Sequence, residues 1–253
     1  MAFWFWHGIR NGIQTTRYPA APESSPGVSP GRPLDTLFPD TLEATRAAAN
    51  CPVGAIAAID SLARVDFKKC VFCQRCHFGT QDELHWDSSF EWTEAHSPRS
   101  RFEPLPSDFA NSLHIIVVDA GDCGACLNEV KQLNNPLYNF HRLGFFFTPT
   151  PRAADVLLVV GPVSENMRGP LVKTYEAMPD PKRVLSVGTC AITGGVFGQT
   201  FASAGGVGSV LPVDLEVPGD PPPPLAILHA LLAVTGRKPL TETTQPVRDG
   251  VFQ

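Results

Sequence analysis

From residue 111 onward the chain alternates apolar runs with amphipathic stretches. Leu113-His-Ile-Ile-Val-Val-Asp119 reads as a buried strand, 124–134 as a helix, and Phe145–Phe147 as a short strand. The run over 155–160, closed by Gly161-Pro162, is a further strand, and 164–178 is a helix. Strands over Arg183–Val187 and 210–217 follow, and then an apolar helix over 225–234 behind the prolines at 221–224. Continuous Val, Ile and Leu runs separated by helices predict a parallel sheet covered on both faces. Such a sheet binds its ligands beyond the carboxyl ends of its strands.

The first 110 residues carry no such rhythm. Phe3, Trp4, Phe5 and Trp6 are consecutive, and Phe3, Trp6, Ile9 and Ile13 recur near helical spacing with His7, Arg10 and Arg17 among or beyond them. Residues 1–19 are thus expected to dock an amphipathic helix on a membrane surface or a partner, or else to pack on their own domain. The Pro- and Ser-rich stretch 20–40 reads as a linker, and 41–80 as a small cysteine-bearing module. Residues 81–110, with Trp86, Trp92, Pro98, Pro104 and Pro106, read as a long wrapping connection expected to lie on a partner. The sheet domain occupies 111–253.

Composition narrows the class. In 253 residues the net charge is −5, which gives no electrostatic reason to expect a nucleic acid partner. No apolar run has the roughly 20 residues of a membrane span, and no export signal is evident, so a cytoplasmic placement is expected. Seven cysteines are an odd number that argues for metal chemistry over a disulfide framework.

Cys70-Val-Phe-Cys73-Gln-Arg-Cys76 has the spacing that wraps three irons of one Fe–S cube. The fourth ligand comes from elsewhere, and Cys51-Pro52 stands in that role as it does in two-cluster ferredoxins. The second cluster of such a ferredoxin would need cysteines about 10, 7 and 4 residues before Cys51 and about four after Cys76. Those positions hold Thr41, Ala44, Ala47 and Thr80. Four ligands missing as a set indicate a ferredoxin-like module that keeps one [4Fe–4S] cluster. A four-thiolate zinc site is the competing assignment.

The other cysteines, Cys123-Gly-Ala-Cys126 and Gly188-Thr-Cys190, each follow a predicted strand, as does Asp220 after 210–217. A thioredoxin-like pair would account for C-x2-C but has no use for Cys190. His229 in its apolar helix reads as a hydrogen-bonded core residue. Glu129 reads either as a helix first-turn carboxylate or as a partner contact. His77, beside Cys76, reads as loop surface or as a residue that tunes the cluster.

These stretches carry a resemblance. Cys123-Gly-Ala-Cys126-Leu-Asn-Glu129, Pro149-Thr-Pro-Arg-Ala-Ala-Asp155, Met178-Pro-Asp-Pro-Lys182, Gly188-Thr-Cys190 and Val217-Pro-Gly219 resemble the small subunit of energy-converting [NiFe] hydrogenases and its homologue, the 20 kDa subunit of complex I. Gly12-Ile-Gln-Thr-Thr-Arg-Tyr18-Pro19 and Cys51-Pro-Val-Gly-Ala-Ile56 resemble the ferredoxin-like subunit of the same complexes. The chain thus resembles two neighbouring subunits fused. The resemblance implies an α/β, flavodoxin-like parallel-sheet domain preceded by the single-cluster module. The C-x2-C spacing favours the hydrogenase-like branch, since complex I subunits carry adjacent cysteines there.

The family's Pro-Gly-Cys-Pro-Pro is here Pro218-Gly219-Asp220-Pro221-Pro222. The resemblance therefore implies a proximal [4Fe–4S] cluster held by Cys123, Cys126, Cys190 and Asp220. A three-iron cluster, a water-ligated iron and no cluster are its alternatives. The implied partners are a hydrogenase-like or complex I-like large subunit, membrane-arm subunits, and a further electron-transfer subunit or ferredoxin. The implied location is peripheral, on the cytoplasmic side of a membrane. A quinone-reducing complex and a non-catalytic adaptor with degenerate clusters are the other functional readings.

Overall fold

The computed structural model describes residues 3–23, 25, 27–77, 84–96 and 102–240. In chain order the first part contains α1 (Phe3–Asn11), β1 (Arg32–Pro33), β2 (Thr36–Leu37), α2 (Thr41–Asn50), β3 (Ile56–Ile59), β4 (Leu62–Val65), β5 (Trp86–Asp87) and β6 (Glu94–Ala95). The second contains β7 (Leu113–Asp119), α3 (Ala125–Gln132), β8 (Phe145–Phe147), β9 (Val156–Val160), α4 (Glu165–Ala177), β10 (Arg183–Val187), α5 (Thr189–Thr193), β11 (Leu215–Val217) and α6 (Pro224–Val234).

The large sheet runs β8-β7-β9-β10-β11, all parallel, with β6 antiparallel on the outer edge of β11. The apolar runs predict the parallel sheet, and its strand order is that of the flavodoxin-like fold the resemblance implies. The alternation along β9 shows why the run is unbroken. Val156, Leu158 and Val160 enter the core beneath α3 and α6, while Leu157 and Val159 enter the core beneath α4 and α5.

Helix α6 is apolar on every side, and all its residues are buried. A helix of that kind must be covered all round. The cover comes from the stretch expected to wrap a partner, and the structure differs from that expectation. Trp92 is fully buried, Thr93 Oγ1 approaches the Ala226 carbonyl at 3.5 Å, and Glu94–Ala95 extends the sheet. Leu105 N–H donates to the Val234 carbonyl at 2.8 Å. Pro98 lies outside the described residues.

The segment read as a linker also differs in part. Arg32–Pro33 pairs with Trp86–Asp87, and Thr36–Leu37 pairs with β4. Strand β11 is shorter than predicted. Pro212 lacks an N–H for a ladder, 207–209 form a helical turn, and Asp214 meets Val184 twice, its carboxylate accepting from Val184 N–H at 2.7 Å and its own N–H donating to the Val184 carbonyl at 2.9 Å.

In the cysteine module, β2-β4-β3 form a small antiparallel sheet under α2. Asp40 caps α2 through Glu43 N–H at 2.8 Å, and Cys51 ends the helix. Ala44 and Ala47, at two positions of the missing second cluster, are fully buried in the α2 core. A packed helix therefore occupies that place. Thr80, the last such position, lies outside the described residues.

His229 is fully satisfied in the core, as its setting predicts. Its Nε2 faces the Pro239 carbonyl at 3.1 Å, which can only accept, so Nε2 carries the proton and Nδ1 accepts from Thr93 Oγ1 at 3.0 Å. Burial lowers its pKa below the ordinary 6.5. The unfolded chain then binds a proton that the folded chain refuses as pH falls through 6.5. Stability from this residue is intact above that pH and declines below it. The unfolding midpoint should therefore drop between about pH 7 and about pH 5.5, and His229→Gln should flatten that slope in thermal melts. The Glu91 carboxyl, lowered from 4.5 although burial alone would raise it, because Lys238 and Tyr18 hydrogen-bond to it, contributes only at more acid pH.

Candidate metal centres

Cys51, Cys70, Cys73 and Cys76 all open on one small cavity, walled by Ile56, Val65, Leu84 and Trp86. The loop that carries three of them turns through left-handed backbone at Phe72 (φ 51°) and Gln74 (φ 56°). Alternating left- and right-handed residues shape the concave backbone found at Fe–S sites. Non-glycine residues hold that conformation at a cost of order 1–3 kcal/mol only where surrounding contacts impose it. Here Phe72 stacks on Phe67 (5.7 Å between centroids) and tilts against Trp86 (6.0 Å). Ala55 N–H points to Cys51 Sγ at 3.1 Å, a donor to sulfur of the kind that tunes cluster potentials.

The second set gathers beyond the carboxyl ends of β7, β10 and β11. Asp122 accepts from Gly124 N–H (2.9 Å) and Leu127 N–H (3.1 Å), which fixes the turn into α3 that carries Cys123 and Cys126. Cys190 lies in α5, directly after β10, and Asp220 follows β11. Cys126 is buried within electrostatic reach of Asp122, Asp220, Cys190 and Cys123. Asp220 is half-buried and makes no hydrogen bond or ion pair among the described residues. Burial and the neighbouring Asp122 raise its pKa.

Two glycines shape this second cradle. A Cβ on Gly188 would collide with Cys126 Sγ, and one on Gly195 would come within 2.6 Å of Cys190 Sγ. Both sit at positive φ, 91° and 57°. Side chains there would fill the space the sulfurs face.

The donor chemistry fits iron–sulfur clusters at both places. Cys51, Cys70, Cys73 and Cys76 surround one cavity, and Cys126 lies within electrostatic reach of Cys123, Cys190 and Asp220. Zinc needs sulfur at about 2.3 Å from one centre, whereas a cube distributes its thiolates over four irons. Burial pushes the thiols of Cys70 and Cys190 up to about 11 and that of Cys126 further still. Burial thus favours the protonated thiols, and a cluster bound there would have to displace their protons.

The two sites adjoin. Thr189 Oγ1 donates to the Cys70 carbonyl at 3.0 Å, Lys68 pairs with Glu216 at 2.5 Å, and Trp92 Nε1 donates to the Pro218 carbonyl at 2.9 Å. None of these three links was evident from the sequence. The acidic residue ahead of α3, Asp122, carried a helix-start signal that could have singled it out. Glu129 lies on α3, half-buried, with its pKa raised by burial. His77 ends a short helical turn after Cys76.

Comparison with known proteins finds relatives of the sheet domain. Residues 123–234 match the family described as NADH ubiquinone oxidoreductase, 20 Kd subunit. An uncharacterized protein of Methanocaldococcus jannaschii, MJ0516, is 42% identical over 123 residues, which are 49% of this chain and 82% of that protein. Formate hydrogenlyase subunit 7 of Escherichia coli is 37% identical over 125 residues, 49% of each chain. NAD(P)H-quinone oxidoreductase subunit K of a Picosynechococcus species is 41% identical over 121 residues, 47% of this chain and 49% of that one. The matched region thus spans about half the length of the last two relatives.

Proposed function

We propose, for a chain that belongs to the NADH ubiquinone oxidoreductase 20 kDa subunit family, that it is an iron–sulfur electron-transfer subunit of a hydrogenase-like, complex I-related assembly. Cys51, Cys70, Cys73 and Cys76 would hold one [4Fe–4S] cluster, and Cys123, Cys126, Cys190 and Asp220 a second, proximal one. The clusters supply one-electron chemistry when bound. The chain's own residues do the rest. Phe72, Leu84 and Trp86 keep the first site apolar, Gly188 and Gly195 leave room at the second, and Asp122 fixes the turn that presents Cys123. Cys123 is exposed, which leaves that side open to a large subunit where the terminal chemistry would take place. A ferredoxin or further electron-transfer subunit would meet the first module.

The observation that carries this reading is convergence. Donors far apart in the chain come together as two sets in adjoining loops, one set around a single cavity and the other beyond the carboxyl ends of one parallel sheet.

Membrane association belongs to the same reading. Among the described residues no helix is long and apolar enough to cross a membrane. Helix α1 nonetheless leaves Phe3, Trp4, Phe5, Trp6 and Ile9 between 51% and 81% exposed, with Arg10 in its last turn and no acidic residue. Aromatic and basic side chains together suit a headgroup interface. The chain is tied down just beyond, where Tyr18 is buried and Arg142 donates to the Thr16 and Tyr18 carbonyls. The aromatic helix would therefore stand out at the membrane arm while the body remains peripheral.

The test is iron and acid-labile sulfide per anaerobically purified chain, with EPR after reduction. About eight irons and two reducible clusters are expected; about four would remove the proximal cluster from the proposal. On the same preparation, flotation with anionic vesicles should be lost when Trp4 and Trp6 are both replaced by Ser. Unchanged flotation would remove the membrane role of α1.

A further inference from the structure

We infer that Thr189 is the positioning residue that locks the two cluster-binding loops to one another. The inference rests on the two-cluster reading and adds to it a residue that joins the sites. Thr189 is fully buried and immediately precedes Cys190. Its backbone N–H already donates to the Gly219 carbonyl at 2.9 Å. The hydroxyl hydrogen is therefore free for the Cys70 carbonyl, at 3.0 Å the nearer of its two acceptors; Gly219 O lies at 3.3 Å. One residue thus ties three loops. It carries Cys190, holds the carbonyl of Cys70 from the other set, and anchors the Pro218-Gly219 turn that presents Asp220.

Position favours Thr189 over the other contacts between the modules. Lys68 and Trp92 also bridge them, but Lys68 reaches Glu216 four residues short of Asp220, and Trp92 reaches Pro218 two residues short. Of these three contacts, that of the Thr189 hydroxyl runs directly to the backbone of a ligand residue. The bond moves no proton and no electron. It fixes the separation and orientation of the two metal sites, on which the magnetic interaction between two reduced clusters depends.

The experiment compares wild type, Thr189→Val and Thr189→Ser, each with iron and sulfide counted, by EPR of the fully reduced protein. Val keeps the shape and loses the donor; Ser keeps the donor. The expected result is about eight irons in all three, with the interaction splitting altered or lost in Val and retained in Ser. Eight irons with an identical splitting in Val, or Ser altered as much as Val, would overturn the role of Thr189 and leave the two-cluster reading intact. About four irons in wild type would overturn both, and that outcome is read from the wild-type count alone.

Discussion

Trp92→Ala is expected to destabilise the protein by about 3–5 kcal/mol, the range for truncating a large buried aromatic. At about 2–4 °C per kcal/mol for a chain of this size, the unfolding midpoint should fall by roughly 6–20 °C. The side chain is fully buried, packs edge-on against Phe67 with centroids 5.2 Å apart, and donates its indole N–H to the Pro218 carbonyl. Truncation leaves a cavity between the cysteine module and the sheet domain, and it strips Pro218 of its partner. Trp92→Phe retains most of the packing and should lose only about 1–3 kcal/mol for the unsatisfied carbonyl. Circular-dichroism melts of the three proteins decide the matter. If Ala melts within a degree or two of wild type, Trp92 is not the wedge between the modules that its burial indicates.

That Trp92, in an aperiodic, proline-rich stretch, packs between two modules marks the limit of periodicity as a guide. The central strands of the sheet are legible because each is a short run rich in Val, Ile or Leu. Val156–Val160 is apolar throughout since both faces are covered. Trp92 has no local pattern around it; its burial depends on α6, more than a hundred residues later. The sequence did hold an indirect signal. A helix apolar on every side needs cover on every side, and 81–110 was a long stretch with no period of its own.

The stretch 210–217 shows the opposite fault. Its hydrophobicity reads as one strand, but Pro212 denies it a ladder and only Leu215–Val217 pairs. The cysteine positions were legible because ligand spacing is a covalent constraint written along the chain. The Thr189 bond was not, because it runs to a backbone carbonyl 119 residues away, and a carbonyl carries no residue identity.

Asp220 is where spacing and chemistry diverge, and its variants should show the second-largest effect. The carboxylate sits among Cys126 and Cys190 with no hydrogen-bond or ion-pair partner among the described residues, and burial and Asp122 both disfavour its charge. A half-buried carboxylate without a partner is costly unless something at that place takes its charge. Iron would do so. If Asp220 is the fourth ligand, Asp220→Ala leaves three cysteines, and the proximal site should fall from about four irons to about three, taking the chain from about eight to about seven. The oxidised protein should then show the EPR signal of a three-iron cluster, which an oxidised four-iron cube does not give.

Asp220→Cys should keep about eight irons and change the EPR of the reduced proximal cluster, because a soft thiolate replaces a hard oxygen donor. The thiolate holds iron more firmly, so the Cys variant should also lose iron to a chelator more slowly than wild type. The two variants separate the alternatives. A wild type that already shows a three-iron signal would mean Asp220 leaves its corner empty. Water ligation predicts a cube in which Asp220→Ala changes neither iron nor EPR. The ferredoxin-type cluster, none of whose four cysteines this substitution touches, should keep its about four irons in both variants. Its persistence would show that the change is local to the proximal site and not a collapse of the chain.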